Sequence, residues 1–440
     1  MRKLTPVPMD ATAHAVYLTG AAINSLIQAL PSGTAYGIGI VRIVMMTGRL
    51  MPHKGSLARA VLPLVIHLKW GWHRVERAME RGQLLLDELF DHAYQWCLSN
   101  LEVEPVRLGC LEREVIALDS STIARLRCQV GKAALLGKGY CHRAGRAVRA
   151  NIVAAAVSVV LIRGVRVGVV RRVRLGASCA AAVSKLFGAF PESATARLVI
   201  VDAGIATKGQ FAAATARDAR VGRLRRNCKV RCAPPPPNGK RGRNPIHGPV
   251  LHPGRDLPEV APDEDLTFPG EAGPVRLRRW KEVHWEGYHQ TSVDVLRVDD
   301  PNYKEPLLVG TTAGELTTEE LWQAYPHRWP VETLFYIGAE TTATSIPRAW
   351  TEHAVERRIG LGLLSGSLLE AIAVMSEGRA MGPWDKKPQP SAGRLANHLE
   401  IHIENLSALA LEGVQARNYR KNPEAAQAQN LQLKKAACIW

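Results

Sequence analysis

The chain has 440 residues, 57 Lys and Arg against 40 Asp and Glu, and a formal net charge of +17. At roughly 100–200 residues per domain the length predicts two to four domains, and a hydrophobic fraction of 46% excludes wholesale disorder. The basic balance calls for a polyanionic partner, either nucleic acid or an acidic membrane surface.

No stretch approaches the ~18–20 uninterrupted apolar residues of a membrane span, since the longest run, Ile152 to Ile162, is followed at once by Arg163. After Met1-Arg2-Lys3 come Thr5, Pro6, Pro8 and Asp10, which form no secretory apolar segment. Eight scattered Cys fit a reducing compartment better than a disulfide framework. A cytoplasmic protein without a membrane association is the expectation.

Residues 1–112 read as helical. In Leu68–Leu101 the apolar Trp70, Trp72, Val75, Met79, Leu84, Leu85, Leu89 and Phe90 recur near helical spacing, while Glu76-Arg77 and Glu80-Arg81 suit an exposed face. That region is either a DNA-end-binding domain or an ordinary helical module. From Val115 the pattern changes to strands. Val115–Leu118 leads into Asp119-Ser120-Ser121, and Ala147–Ile162 with Val165–Leu175 forms a hairpin about Gly164. Ser178–Phe190 is a predicted helix capped by Ser178 and stopped by Pro191. Arg197–Val201 is a buried strand ending at Asp202, Gln210–Ala219 a helix and Leu224–Cys232 a strand.

Four prolines, Pro234 to Pro237, open a loop-rich stretch. Strands return at Val275–Val283, Thr291–Val298 and Pro306–Thr311, so 233–304 reads as a Pro-rich loop and β insertion. Thr317 to Glu320 carries capping chemistry for a helix, Ala354–Val374 is a long apolar helix, and 379–440 is a linker and helical tail.

Charge is segregated along this order. Between Ser120 and Pro191 there are 13 Lys or Arg, Arg143, Arg146 and Arg149 among them, and no Asp or Glu. Arg217 to Arg243 holds ten more, including Lys240, Arg241 and Arg243, with Asp218 the only acid. A surface of one sign suits a phosphate backbone. The acids that interrupt it are informative. Asp119 and Asp202 each end a buried-strand run, and on neighbouring strands their carboxylates would converge. Two close carboxylates repel unless a cation lies between them, and oxygen-only ligands favour Mg²⁺ or Mn²⁺. Taken singly, each is equally readable as a turn acid.

A third acid lies in Tyr325-Pro326-His327-Arg328-Trp329-Pro330-Val331-Glu332, with Y-x2-R-x3-E spacing. Here the sequence resembles the DDE-type transposases of bacterial insertion sequences, in the subfamily with a β-rich insertion and a Y-x2-R-x3-E-x6-K motif. The resemblance spans about residues 113–375. It implies an α/β protein: a ribonuclease H-like mixed sheet core, residues 113–232 and 305–378, interrupted by the insertion and flanked by helical regions. It implies further that Asp119, Asp202 and Glu332 are catalytic and hold two Mg²⁺ ions. Tyr325 and Arg328 would then contact DNA phosphate, and Trp280 or Trp285 would stack on an unpaired base if not simply packed in the core. The partners implied are double-stranded DNA, both transposon ends and target, and a second copy on DNA, with the protein at the nucleoid. Ala339 stands where the motif has Lys, and Pro330 predicts a kink or a new helix with Glu332 in its first turn. That substitution keeps open a non-catalytic DNA-binding descendant, and a nuclease that cuts without joining is a further alternative. Cys228, Cys232, His247 and His252 approach a zinc spacing, but prolines and basic residues replace the apolar residues between the pairs, so zinc is disfavoured.

Overall fold

The computed structural model describes residues 11–67, 72–125, 136–141, 145–190, 195–234, 246–256, 258–349, 351–376, 378 and 385–419. At its centre is a twelve-stranded mixed sheet. Nine strands matter below: β1 (Arg113–Ala124), β2 (Arg146–Ile162), β3 (Val165–Gly176), β4 (Arg197–Val201), β5 (Asp218–Leu224), β6 (Glu264–Phe268), β7 (Val275–Val283), β8 (Val293–Asp299) and β9 (Leu307–Thr311). Their order across the sheet is β3-β2-β1-β4-β5-β9-β8-β7-β6. The β1/β4 and β4/β5 pairs are parallel, and the other neighbours in this order are antiparallel.

The hairpin about Gly164 forms as its sequence predicts: Arg163 and Gly164 take φ of 50° and 78°, the two positive values of a type I′ turn. β4 is buried at all five positions, as expected for the middle of a parallel segment covered on both faces. Along β1, Val115 and Ala117 pack with one core, and Ile116 and Leu118 with another. The second core lies under the helix Cys179–Gly188, whose Ser178 hydroxyl accepts from the Ala181 N–H as a cap. The first lies under the helices Ala11–Gln28, Ser32–Met46, Leu86–Asn100 and Glu352–Met375, with the C-terminal Ile403–Tyr419 against Ala11–Gln28. The Glu352–Met375 helix is long and apolar enough to cross a membrane, but it is buried in this core.

The insertion strands β6–β8 continue the central sheet through β9, which pairs with β5. Two expectations change. The helix expected over Gln210–Ala219 is shortened to Lys208–Ala212, and Asp218 onward is strand. Alanine-rich sequence favours helix only weakly, and pairing beside β4 overrides it. Only Val230–Arg231 of the strand expected at Leu224–Cys232 lies beyond β5.

Candidate active site

The register of β1 and β4 runs from Glu114–Arg197 to Leu118–Val201, so Asp119 and Asp202 are the next residues on adjacent strands. Strands in a sheet lie about 4.8 Å apart, which brings the two acids together. Asp119 is not the end of its strand as expected. β1 continues to Ala124 along β2, while β4 stops at Val201, and this unequal stop opens a notch beside Asp119.

The third side of the notch is built from the other end of the chain. Thr317 and Glu320 make reciprocal side-chain to backbone hydrogen bonds of 3.1 and 2.8 Å, starting the helix Thr318–Ala324. A 3₁₀ turn, Tyr325–Arg328, follows directly, then the helix Trp329–Glu340 with Pro330 and Glu332 in its first turn. This is the restart that Pro330 predicts. Pro at a helix start loses no intrahelical bond, and an acid there meets the positive end of the dipole.

The turn places its side chains on the acids. The Tyr325 hydroxyl donates to Asp202 Oδ1 at 3.3 Å. Arg328 Nη1 lies 3.5 Å from Asp119 Oδ2 and donates to Glu332 Oε1, so one guanidinium links two of the three acids. Its Cζ is also 5.6 Å from the centre of the Tyr325 ring and 5.3 Å from that of Trp329. Burial pushes the Asp119 carboxyl up to about 6; the Ser120 N–H at 2.7 Å and Arg328 oppose this, and the charges of Asp202 and Glu332 add to it. Burial raises the Tyr325 phenol also, with Asp202 adding to the effect. Burial works against charge on Arg328, but Glu332, Tyr325 and Asp202 outweigh it and hold the guanidinium above its ordinary value.

The donor set suits a hard divalent cation in kind, since it is all oxygen and its like charges disfavour one another without a counter-ion. Among the described residues no three such side chains enclose a metal position as they stand. Here the Arg328 guanidinium supplies the positive charge. Ala339 is half-buried in a small hollow with Ser121, Thr122 and Phe335, so no cation extends from that position.

Much of the basic field has internal partners. Arg171 and Arg172 pair with Asp91, Arg171 also with Glu114, and Arg174 with Asp87, all reaching the helix Leu86–Asn100 or β1. Arg125 donates to the carbonyls of Pro347 and Ala349. Arg146 and Arg149 are exposed on β2. Arg143, Lys240, Arg241 and Arg243 lie outside the described residues. The reading of Trp280 and Trp285 as base-stacking residues is corrected: they are 1% and 3% exposed. Trp280 donates its indole N–H to the Val260 carbonyl at 3.0 Å, and Trp285 packs on Phe211 with ring centres 5.2 Å apart. Trp280 on β7 and Trp285, two residues beyond its end, belong to one buried core.

Three surface residues at the notch were not singled out in the sequence. Trp329 and Tyr336 are 60% and 70% exposed, and their seven-residue spacing puts both on the helix face that carries Glu332. Arg223 is exposed on β5, close enough to act on the Tyr325 phenol. The signal for Trp329 was its place inside the Tyr-Arg-Glu motif. In the zinc-like constellation, His247 Nδ1 lies 2.8 Å from His284 Nε2, and His252 Nδ1 lies 2.7 Å from Glu259. No protein-family model and no curated protein matches this chain.

Proposed function

We propose that the protein is a DNA transposase that cuts the ends of an insertion sequence and joins them to target DNA. The observation that carries this reading is the meeting of Asp119, Asp202 and Glu332 around Arg328 and Tyr325, from three segments far apart in the chain. The sheet order supports it: a three-stranded meander, β3-β2-β1, continued by the parallel β4 and β5, is what a ribonuclease H-like core requires.

Asp119, Asp202 and Glu332 would hold Mg²⁺, or Mn²⁺ in its place. Bound there, two such ions supply activation of the attacking oxygen and stabilisation of the leaving one. Arg328, which now faces Asp119 and Glu332, would in that arrangement be free to grip a phosphate bidentately. Tyr325, at hydrogen-bond distance from Asp202, orients that carboxylate and borders the scissile phosphate. Water attack at the element's ends leaves 3′-hydroxyls, and these attack target DNA in turn. Two ends have to be held together, so the active form is a homodimer on DNA, located at the nucleoid.

Duplex DNA carrying the element's end should be cleaved in Mg²⁺ by the wild-type protein. Asp119→Ala, Asp202→Ala and Glu332→Ala should each lose about 10³-fold or more in cleavage rate while still retarding the DNA in a gel. A wild-type protein that binds such DNA and never cuts it would overturn the enzyme reading. That result would favour the second reading, a DNA-binding descendant without catalysis, for which Ala339 is the specific observation. Cleavage without strand joining would identify a simple nuclease.

A further inference from the structure

The strand Leu136–Cys141 pairs antiparallel with the first part of β2, from Leu136–Asn151 to Cys141–Arg146. β1 ends at Ala124 opposite Ala150, so among the described residues these two strands run on alone as a ribbon. One face of the ribbon lies flat on the protein. A Cβ at Gly137 would stand 1.8 Å from the Ala177 carbonyl oxygen, and one at Gly139 would stand 2.4 Å from the Thr122 methyl, so only glycine fits either position. Val148, opposite Gly139, is buried.

The other face is open and basic. Lys138, Tyr140, Ala147 and Arg149 are exposed on it. The register puts Lys138 directly opposite Arg149, with Tyr140 diagonal to that arginine. Like charges directly opposite one another destabilise a strand pair, and an anion lying over both removes that cost. No Asp or Glu occurs between Ser120 and Pro191, so the surrounding chain supplies none. Arg348 is a third exposed cation. The carbonyls on either side of it, those of Pro347 and Ala349, accept from Arg125, one residue beyond β1. Arg125 also donates to Asn151 Oδ1 at 3.3 Å, which places Arg348 at the root of the ribbon. Among the described residues no carboxylate pairs with Lys138 or Arg348. Arg149 has a further contact within the protein, so it contributes charge, and Lys138 and Arg348 supply the donors.

This face is also the one that carries the acids. Val115 and Ala117 of β1 and Val153 and Ala155 of β2 belong to one core. Asp119, opposite Ala155, continues the first series, and Asn151 and Arg149 continue the second, as alternation requires. From Ala155 to Arg149 the strand covers about 20 Å at ~3.3 Å per residue, which is the rise of about six base pairs of duplex. We propose that the ribbon, with Arg348, grips the phosphate backbone of duplex DNA about six base pairs from the phosphate at Asp119. That distance rests on the transposase reading, which puts the reacting phosphate at the acids. Long side chains on a ribbon docked through glycine reach the backbone at a fixed offset, and such contacts set register without reading sequence.

The test is fluorescence anisotropy of a labelled duplex of arbitrary sequence, titrated with the full chain over a range of salt concentrations and without divalent metal. The slope of log K against log salt should fall by about one in Lys138→Ala and in Arg348→Ala, and by about two in the double variant. Lys138→Arg should keep the wild-type slope. Both residues are exposed, so the variants should fold as wild type does. A wild-type slope in the double variant would overturn the proposal and leave the transposase reading to its own cleavage assay. Slope losses in a protein that never cuts DNA would keep the ribbon as a duplex contact and end the enzyme reading. The same variants losing affinity for vesicles of acidic phospholipid, with duplex binding unchanged, would assign the face to a membrane and sink the proposal. Where cleavage is seen, a photoreactive group on Lys138→Cys should crosslink about six base pairs from the cut, and crosslinks only beside the cut would refute the offset.

Discussion

Arg328 has 8% of its side chain exposed, and its Nη1 faces both Asp119 and Glu332, so its charge is spent on carboxylates. Trp329, next in the chain, is 60% exposed, with the Arg328 guanidinium 5.3 Å from its ring centre. The contrast with Trp280 yields a prediction. Stacking on a base is worth about 1–3 kcal/mol, so Trp329→Ala should weaken binding to end-containing DNA by that amount with the urea midpoint unchanged. Trp280→Ala should cost about 3–5 kcal/mol of stability by emptying a core site. A Trp329→Ala protein that binds DNA like wild type would remove this helix face from the interface. The choice between these tryptophans was not legible in the sequence. Both stand among basic residues, and only the pairing of β7 with β8 buries one of them.

At the scale of elements, the notch depends on how the segment 311–318 is anchored. Arg279 of β7 pairs with Asp294 of β8, at 1% and 7% side-chain exposure, and donates to the carbonyls of Leu316 and Gly314. Asp294 also accepts from the Glu282 N–H at 3.0 Å, and Arg113 at the start of β1 donates to Glu315. These contacts hold the chain just before the Thr317 cap, and hence the turn that presents Tyr325 and Arg328. Asp294→Ala leaves Arg279 buried without its counter-charge and should cost about 3–5 kcal/mol in urea denaturation, with cleavage falling alongside. Unchanged stability would show that Arg279 finds other acceptors. The local devices were legible. Ser178, Gly164, Thr317 with Glu320, and Pro330 act within a turn or two, where spacing alone specifies the contact. The Arg279–Asp294 pair spans two strands, and spacing carries no mark of it.

At the scale of the whole molecule, the net charge of +17 overstates the cation surface available to a polyanion. Arg171, Arg172 and Arg174 balance Asp87, Asp91 and Glu114, and they fasten the helix Leu86–Asn100 to β3. Salt titration separates the two uses. The slope of log K against log salt should fall by about one for Arg223→Ala and for Arg146→Ala. For Arg172→Ala it should not change, although that variant loses stability. A slope change in Arg172→Ala would place it on the DNA surface after all.

The amino-acid sequence by itself determined the runs of strand and helix, the capped starts and the candidate acids, because these depend on residues close in the chain. Tertiary structure alone decided three things. The insertion became an extension of the central sheet, Arg171, Arg172 and Arg174 of one basic block became ion pairs with Asp87, Asp91 and Glu114, and Arg328 came to lie between Asp119 and Glu332. Each rests on strand register and helix docking, which bring together residues that no local pattern connects.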